Sequence, residues 1–215
     1  MENKTDPYQP MGHGIVFHPD LIKGTSLAKN MSEYHFFTYQ TNEALHLSEK
    51  ERQFVLEIFS NIKTELERSI DKHSKRLIAS SIELFLNYCE RFYDRQFITR
   101  ENVNTGILEK FELLLDNYYK SDDPLETGIP SVAYCTEQLH LSANYFGDLI
   151  KTETGRSAQE YVQNKIINIA KVNIFNKEKS VAQIAYEMGF KYPQHFIRLF
   201  KQKTGHTPKE FQNMN

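Results

Sequence analysis

The chain has 215 residues, 40% hydrophobic and 25% charged, with a net charge of −2. That composition is ordinary for a globular protein, and the length allows one large or two modest domains, each with its own core. No apolar run approaches the roughly 18 residues of a membrane span, and the polar N-terminus lacks a signal-peptide core. Cys89 and Cys135 are the only cysteines and lie far apart with no CxxC, which fits a reducing cytosol and argues against a disulfide scaffold and a zinc site. Charge is uneven: residues 1–124 carry 15 Lys and Arg against 20 Asp and Glu, residues 125–215 carry 11 against 8. A positive C-terminal half suits a phosphate-bearing partner, although ordinary surface variation would also produce it.

In chain order, residues 1–12 read as a disordered edge. Residues 14–17 (GIVF) and 33–39 (EYHFFTY) are short strand candidates, rich in aromatic and β-branched side chains. Two strands do not make an independent sheet, so they must pack on helices, pair with another chain, or belong to a larger β structure. His13, His18, His35 and His46 share no ligand spacing such as HxH or HExxH, so no metal site and no cofactor is expected. Ser48 and Glu51 form a capping box opening a helix to about residue 70, with an apolar stripe at Val55, Ile58, Phe59, Ile62, Leu66 and Ile70. After a turn at 71–74, a second helix over about 75–93 carries Ile78, Ile82, Phe85, Cys89 and Phe92 at 4-3-4-3 spacing. Leu77, Leu84 and Tyr88 add a second flank. One stripe buries against the preceding helix; the flank then needs a partner. A homodimer formed through helices 48–70 and 75–93 is one answer, packing wholly within one chain the other. Residues 92–101 read as a polar connection, with the linker at 99–104. An amphipathic helix follows over about 103–120, and residues 121–130 (SDDPLETGIP) read as loop.

The last third carries a repeat. Residues 180–211 read as a short helix capped by Ser180 and Gln183, a turn at Gly189, a second helix starting near Pro193, and a third capped by Thr207 and Glu210. Residues 132–161 match them: Phe146, Leu149, Lys151, Thr154 and Gly155 fall on Phe196, Leu199, Lys201, Thr204 and Gly205, and Ser157–Glu160 repeats the last capping box. Two helix-turn-helix units about 50 residues apart are hard to obtain by accident. One departure is that Gly189 corresponds to His140, a residue that accepts positive φ only moderately well. Residues 158–175 form a continuous helix between the copies, about 27 Å long, a rod able to set two recognition helices about one DNA turn apart.

The sequence GFKYPQHFIRLFKQKTGHTPKEF, preceded by the first copy LHLSANYFGDLIKTETGRSAQEY, resembles the DNA-binding region of AraC/XylS-type transcriptional regulators over residues 104–213, with the F-x-R-x-F-K-x-x-x-G-x-[ST]-P core at residues 196–208. The resemblance implies a mainly α fold in which a helical hairpin precedes a seven-helix, two-lobed double helix-turn-helix domain. It also implies an asymmetric double-stranded DNA site, a cytoplasmic location and contact with RNA polymerase. Residues 14–51 resemble the far end of that family's sensor half, ordinarily a β-barrel for which there is no room. The chain is therefore expected to be truncated or a natural short form, with a small-molecule effector possible only in a longer form. The expected organisation is a β remnant at 1–47, a hairpin and dimerisation element at 48–98, and the DNA-binding domain at 103–213. Within that domain the first helix-turn-helix covers about 131–153, the linker helix about 157–175 and the second helix-turn-helix about 180–203.

The candidate DNA contacts follow from helix faces. In the first copy Asn144 can read adenine and Lys151 can bind phosphate, whereas Gly147 offers no side chain and Asp148 repels phosphate. In the second copy Arg198 can grip guanine through its planar fork, Gln194 can read adenine, and His195 can reach a base or phosphate. Lys191, Tyr192 and Lys201 suit the backbone. The bland alternatives are a salt bridge from Arg198 to Glu187 and a solvated Lys201. A helical protein–protein adaptor is the competing function. No catalytic arrangement supports an enzyme: there is no Ser/His/Asp or Cys/His constellation and no phosphate-binding glycine loop.

Overall fold

The structure is a computed structural model that describes residues 12–99, 101–176 and 178–214. Among them there is no strand; the chain is a succession of α-helices joined by turns and short 3-10 segments. The expectation for residues 1–12 lies outside the described residues except at Gly12, as does the part of the 99–104 linker at Arg100.

One compact unit holds, among the described residues, 12–33 together with 48–88. It contains α1 (Ser26–Asn30), α2 (Glu49–Glu67) and the start of α3 (Ser74–Thr99). The capping box at the head of α2 forms as expected: the Ser48 amide donates to Glu51 at 2.7 Å, and the Glu51 amide donates to Ser48 Oγ at 3.4 Å. Phe54 packs on Tyr88 and Phe59 on Phe85, with ring centroids 4.3 and 5.1 Å apart. Partners that fall in number along α3 as they rise along α2 mark an antiparallel hairpin. Val55, Ile58 and Ile62 are buried on α2, and Ile78, Ala79, Ile82 and Leu86 on α3. Tyr88 thus belongs to the contact inside the hairpin, while Leu77 and Leu84 stay about half exposed.

The other unit holds residues 34–47 and 89 onward. It includes the end of α3, then α4 (Glu101–Tyr118), α5 (Asp123–Thr127), α6 (Val132–Leu139), α7 (Ala143–Thr154) and α8 (Ala158–Asn173). It closes with α9 (Val181–Glu187), α10 (Pro193–Thr204) and α11 (Pro208–Gln212). The seven expected helices are α4 and α6 through α11. The five-residue α5 stands in the segment read as loop, started by Pro124 in its first turn and stopped at Gly128, φ +87°, whose amide returns to the Pro124 carbonyl at 3.1 Å.

Two readings are corrected. Neither strand candidate forms: residues 14–17 have no regular structure, and His35–Thr38 is a 3-10 turn. With no neighbouring strand to receive them, amides in the second segment close short local bonds, such as Tyr39 to the Phe36 carbonyl at 3.2 Å. Its aromatic rings pack on helices instead, Phe36 stacked on Tyr93 at 5.6 Å and Tyr39 edge-on to Tyr145 at 5.2 Å. The polar connection expected at 92–101 is helix as far as Thr99. Cys89, Phe92, Gln96 and Phe97 are buried there at helical spacing, so the apolar periodicity continues beneath a polar-looking sequence.

The core of this second unit is continuous. Phe111 and Leu115 of α4, Phe146, Leu149 and Ile150 of α7, Ile166 and Ala170 of α8, Ile184 and Ala185 of α9, and Phe196 and Phe200 of α10 are each at most 1% exposed. They belong to one buried cluster. Helix α8, at 16 residues and about 24 Å, is slightly shorter than expected and contacts both α7 and α10.

Two turns show what backbone geometry demands. His140 takes the left-handed conformation at the end of α6 (φ +54°, ψ +46°), the only non-glycine among the described residues with positive φ. Gly189, its counterpart, sits at φ +83°, and a Cβ there would lie 2.6–2.8 Å from backbone atoms of Gly128 and Ile129. The turn of the second copy is therefore pressed backbone to backbone against the segment entering the first. Gly205 has the same φ, +83°, but open space around it. Gly205→Ala should cost about 1–2 kcal/mol, the left-handed penalty alone. Gly189→Ala should cost clearly more in urea denaturation, because backbone must also move; equal losses would show that the close crossing carries no weight.

Candidate nucleic-acid interface

Helix α10 is built to show one face. Tyr192 precedes it in extended conformation, Pro193 fills its first turn, and Gly205 ends it in the left-handed region. Phe196 and Phe200 anchor it in the core, and Ile197, expected on the outer face, packs partly against that core. What remains outward is Gln194, His195, Arg198, Lys201 and Gln202, all exposed. These positions recur at helical spacing and form one polar, basic stripe. Lys191 and Tyr192 lie exposed just before the helix, with the Lys191 ammonium 5.8 Å from the Tyr192 ring centroid and the His195 ring 5.7 Å from it.

Arg198 is not tied up by Glu187. That carboxylate pairs with Lys179 at 2.8 Å, and among the described residues no ion pair involves Arg198. Arg198, His195 and Gln202 line a cleft of about 520 Å³ whose other walls include Ser131 at the head of α6 and Gln159 and Gln163 on α8. Ile129, Val132, Val162 and Phe190 also line it, so Arg198 borders an open cleft of mixed polar and apolar character next to the start of the first copy.

The first copy is arranged differently. Ser142 caps α7, its Oγ accepting the Tyr145 amide at 3.3 Å, and Asn144 and Lys151 are exposed as expected. However, the Asn144 amide already donates to Thr38 Oγ1 at 2.9 Å, and Asp148 accepts the Tyr39 hydroxyl at 2.7 Å. The sequence reading missed these partners and Glu43. They lie about 100 residues upstream in a run that resembles a strand, and no local pattern signals the pairing.

The helix starts at 157–160 and 207–210, whose backbone amides are by their position candidates to hold phosphates, each form their capping box. The Ser157 amide donates to Glu160 at 3.0 Å and the Thr207 amide to Glu210 at 2.7 Å. Those bonds, first from Ser157 and Thr207 respectively, hold both exposed carboxyls below the usual range. A fixed anion at each helix start suits the helix but not an incoming phosphate.

Among the described residues no group of three or more His, Cys, Asp or Glu could hold a metal, and no helix is long and apolar enough to cross a membrane. Cys89 and Cys135 are buried and unpaired, and burial pushes each thiol up to about 11. A thiol so placed is a poor nucleophile and a poor ligand. At pH 8 both should resist alkylation in the native protein and react fully in urea; rapid native labelling would contradict the burial.

Residues 135–214 match the family model described as a helix-turn-helix domain. Residues 135–214 are thus a helix-turn-helix domain, in the stretch over which the sequence resembles AraC/XylS-type regulators. The uncharacterized HTH-type transcriptional regulator YfiF of Bacillus subtilis (strain 168) is 32% identical over 142 residues, 66% of this chain and 41% of that protein. The "Probable transcriptional regulator LumQ" of Photobacterium leiognathi is 26% identical over 157 residues, 73% of this chain and 58% of that protein. The chain thus spans about half the length of these relatives. Among solved structures, the C-terminal domain of the two-component response regulator yesN from Fusobacterium nucleatum is 25% identical. That match covers 48% of this chain and 95% of that one, with a TM-score of 0.43.

Proposed function

We propose that the chain is a sequence-specific DNA-binding transcriptional regulator in which α10 reads bases in the major groove. The observation that carries this is the exposed stripe Gln194, His195, Arg198 and Lys201 on a helix fixed from behind by fully buried Phe196 and Phe200, within a helix-turn-helix domain. A recognition helix needs that combination: an outward face free for base edges, and an inward face that holds its position. Arg198 reads guanine, Gln194 adenine, and Lys191, Tyr192 and Lys201 hold the backbone. Lys151 adds a phosphate contact from the first lobe, and Asn144 a base contact where α7 enters the groove.

The finer points belong to the same reading. The chain works in the cytoplasm, without catalysis and without a cofactor, and acts on RNA polymerase at the promoter. It pairs with a second copy through α2 and α3, which half-exposed Leu77 and Leu84 support. The organisation proposed is a dimerising hairpin at 48–98 followed by the DNA-binding domain at 103–213. The adaptor alternative is not favoured, since the relatives are transcriptional regulators.

Fluorescence anisotropy on duplex DNA tests the roles residue by residue. Arg198→Ala should cost about 1–3 kcal/mol on the best duplex and relax discrimination at one or two base pairs. Lys201→Ala should weaken all duplexes alike and reduce the salt slope by about one. Uniform loss from Arg198→Ala would make it a phosphate contact instead.

A further inference from the structure

The outward face of α7 is covered by the chain itself. His35, Thr38 and Tyr39 lie across it: Thr38 Oγ1 accepts from Asn144 Nδ2 at 2.9 Å, the Tyr39 hydroxyl donates to Asp148 Oδ2 at 2.7 Å, and His35 Nδ1 lies 3.5 Å from the same oxygen. At the head of the helix Glu43, only 2% exposed, accepts both the Ser142 amide and the Ser142 hydroxyl at 2.6 Å. Glu43 also accepts the Gln40 amide at 2.6 Å, which folds the segment onto itself.

The segment is fastened at its far side to the end of α3. Gln96, 2% exposed, accepts the His46 amide at 2.7 Å and donates to the Ala44 carbonyl at 3.3 Å, while Arg95 donates to the His46 carbonyl at 2.8 Å. This is a built contact with aromatic packing and buried polar pairing, not a loop resting on a surface.

It is incompatible with groove entry. The major groove is about 12 Å wide. A helix with its side chains is already about 10–12 Å across, so α7 cannot enter with a second peptide on its outward face. The covered side chains, Asn144 and Asp148, are those four apart that would meet base edges. Glu43 also occupies the Ser142 amide, a donor at a helix N-terminus where a phosphate would otherwise bind.

We propose that residues 35–43 form a displaceable strap that competes with DNA for the first recognition helix. With the strap on, α10 alone reads DNA; when it leaves, α7 joins and the site lengthens to two blocks. The idea rests on the DNA-binding reading above. An equilibrium of this kind scales the two-block affinity by the fraction of molecules with the strap off.

The test uses the whole chain and a duplex recovered by it from a random-sequence pool, extended by random flanks on both sides. Amide hydrogen exchange is read with and without DNA. The strap account expects the Gln40 and His46 amides to exchange faster on binding while the amides of α7 become slower. Unchanged or slower exchange at 40 and 46 with DNA bound through α10 would overturn it. As a second arm, Tyr39→Phe removes one donor and leaves the ring packing in place. It should tighten flanked-duplex binding roughly threefold to tenfold and extend the footprint on one side. Unchanged or weaker binding with the same footprint would count against the strap. Failure of the DNA-binding reading looks different: no duplex, flanked or not, would be bound by either protein.

Discussion

Both lobes of the C-terminal region hang on α8. Its Ile166 and Ala170 are wholly enclosed, and the same buried cluster takes in Phe146 and Leu149 from one lobe and Phe196 and Phe200 from the other. Because protein interiors are packed as densely as crystals, this shared core fixes where α7 and α10 point. Each buried phenylalanine contributes about 1.5–3 kcal/mol by leaving water. Each also sets the rotation of its helix, and hence which side chains face outward. The contact of Gly189 with Gly128 adds a backbone brace to the same join.

On that frame the outer faces of the two copies differ. The outer face of α10 is an exposed basic stripe beside an open cleft. The outer face of α7 is thinner, with Gly147 and Asp148 in its middle, and is bonded to upstream residues. Burial, with the Asp148 carboxylate next, raises the Tyr39 hydroxyl well above its ordinary range, so it remains a donor throughout the physiological span. With the strap in place, the polar groups of Asn144 and Asp148 are already satisfied by the chain itself. The weak base-reading chemistry of the first copy and its covering by the chain's own segment are thus two sides of one arrangement.

Much of this was legible from residue order. The capping boxes at Ser48, Ser157, Ser180 and Thr207 all form, because a Ser or Thr with Glu or Gln three positions on satisfies helix-start amides locally. The repeat placed Phe146 and Phe196 in equivalent core positions, and both are fully buried. His140, standing where the second copy has glycine, does take the left-handed conformation. What was not legible is non-local. The aromatic run at 34–39 has the composition of a strand, and only the absence of a partner strand turns it into 3-10 segments packed on α3 and α7. Gln96 and Glu43 look like surface residues until their partners about 50 and 100 residues away come into place. Polar side chains buried by distant pairing leave no periodic trace, which is why the covering of Asn144 could not be foreseen.

The account turns on whether the free face of α10 reads sequence. Selection of bound duplexes from a random DNA pool, run with the intact chain at low and at near-physiological salt, asks this directly. The account predicts an enriched block containing a guanine whose preference is erased by Arg198→Ala, and retained enrichment as salt rises while weaker, sequence-independent binding falls away. A bound pool with no enriched sequence at either salt concentration would contradict it.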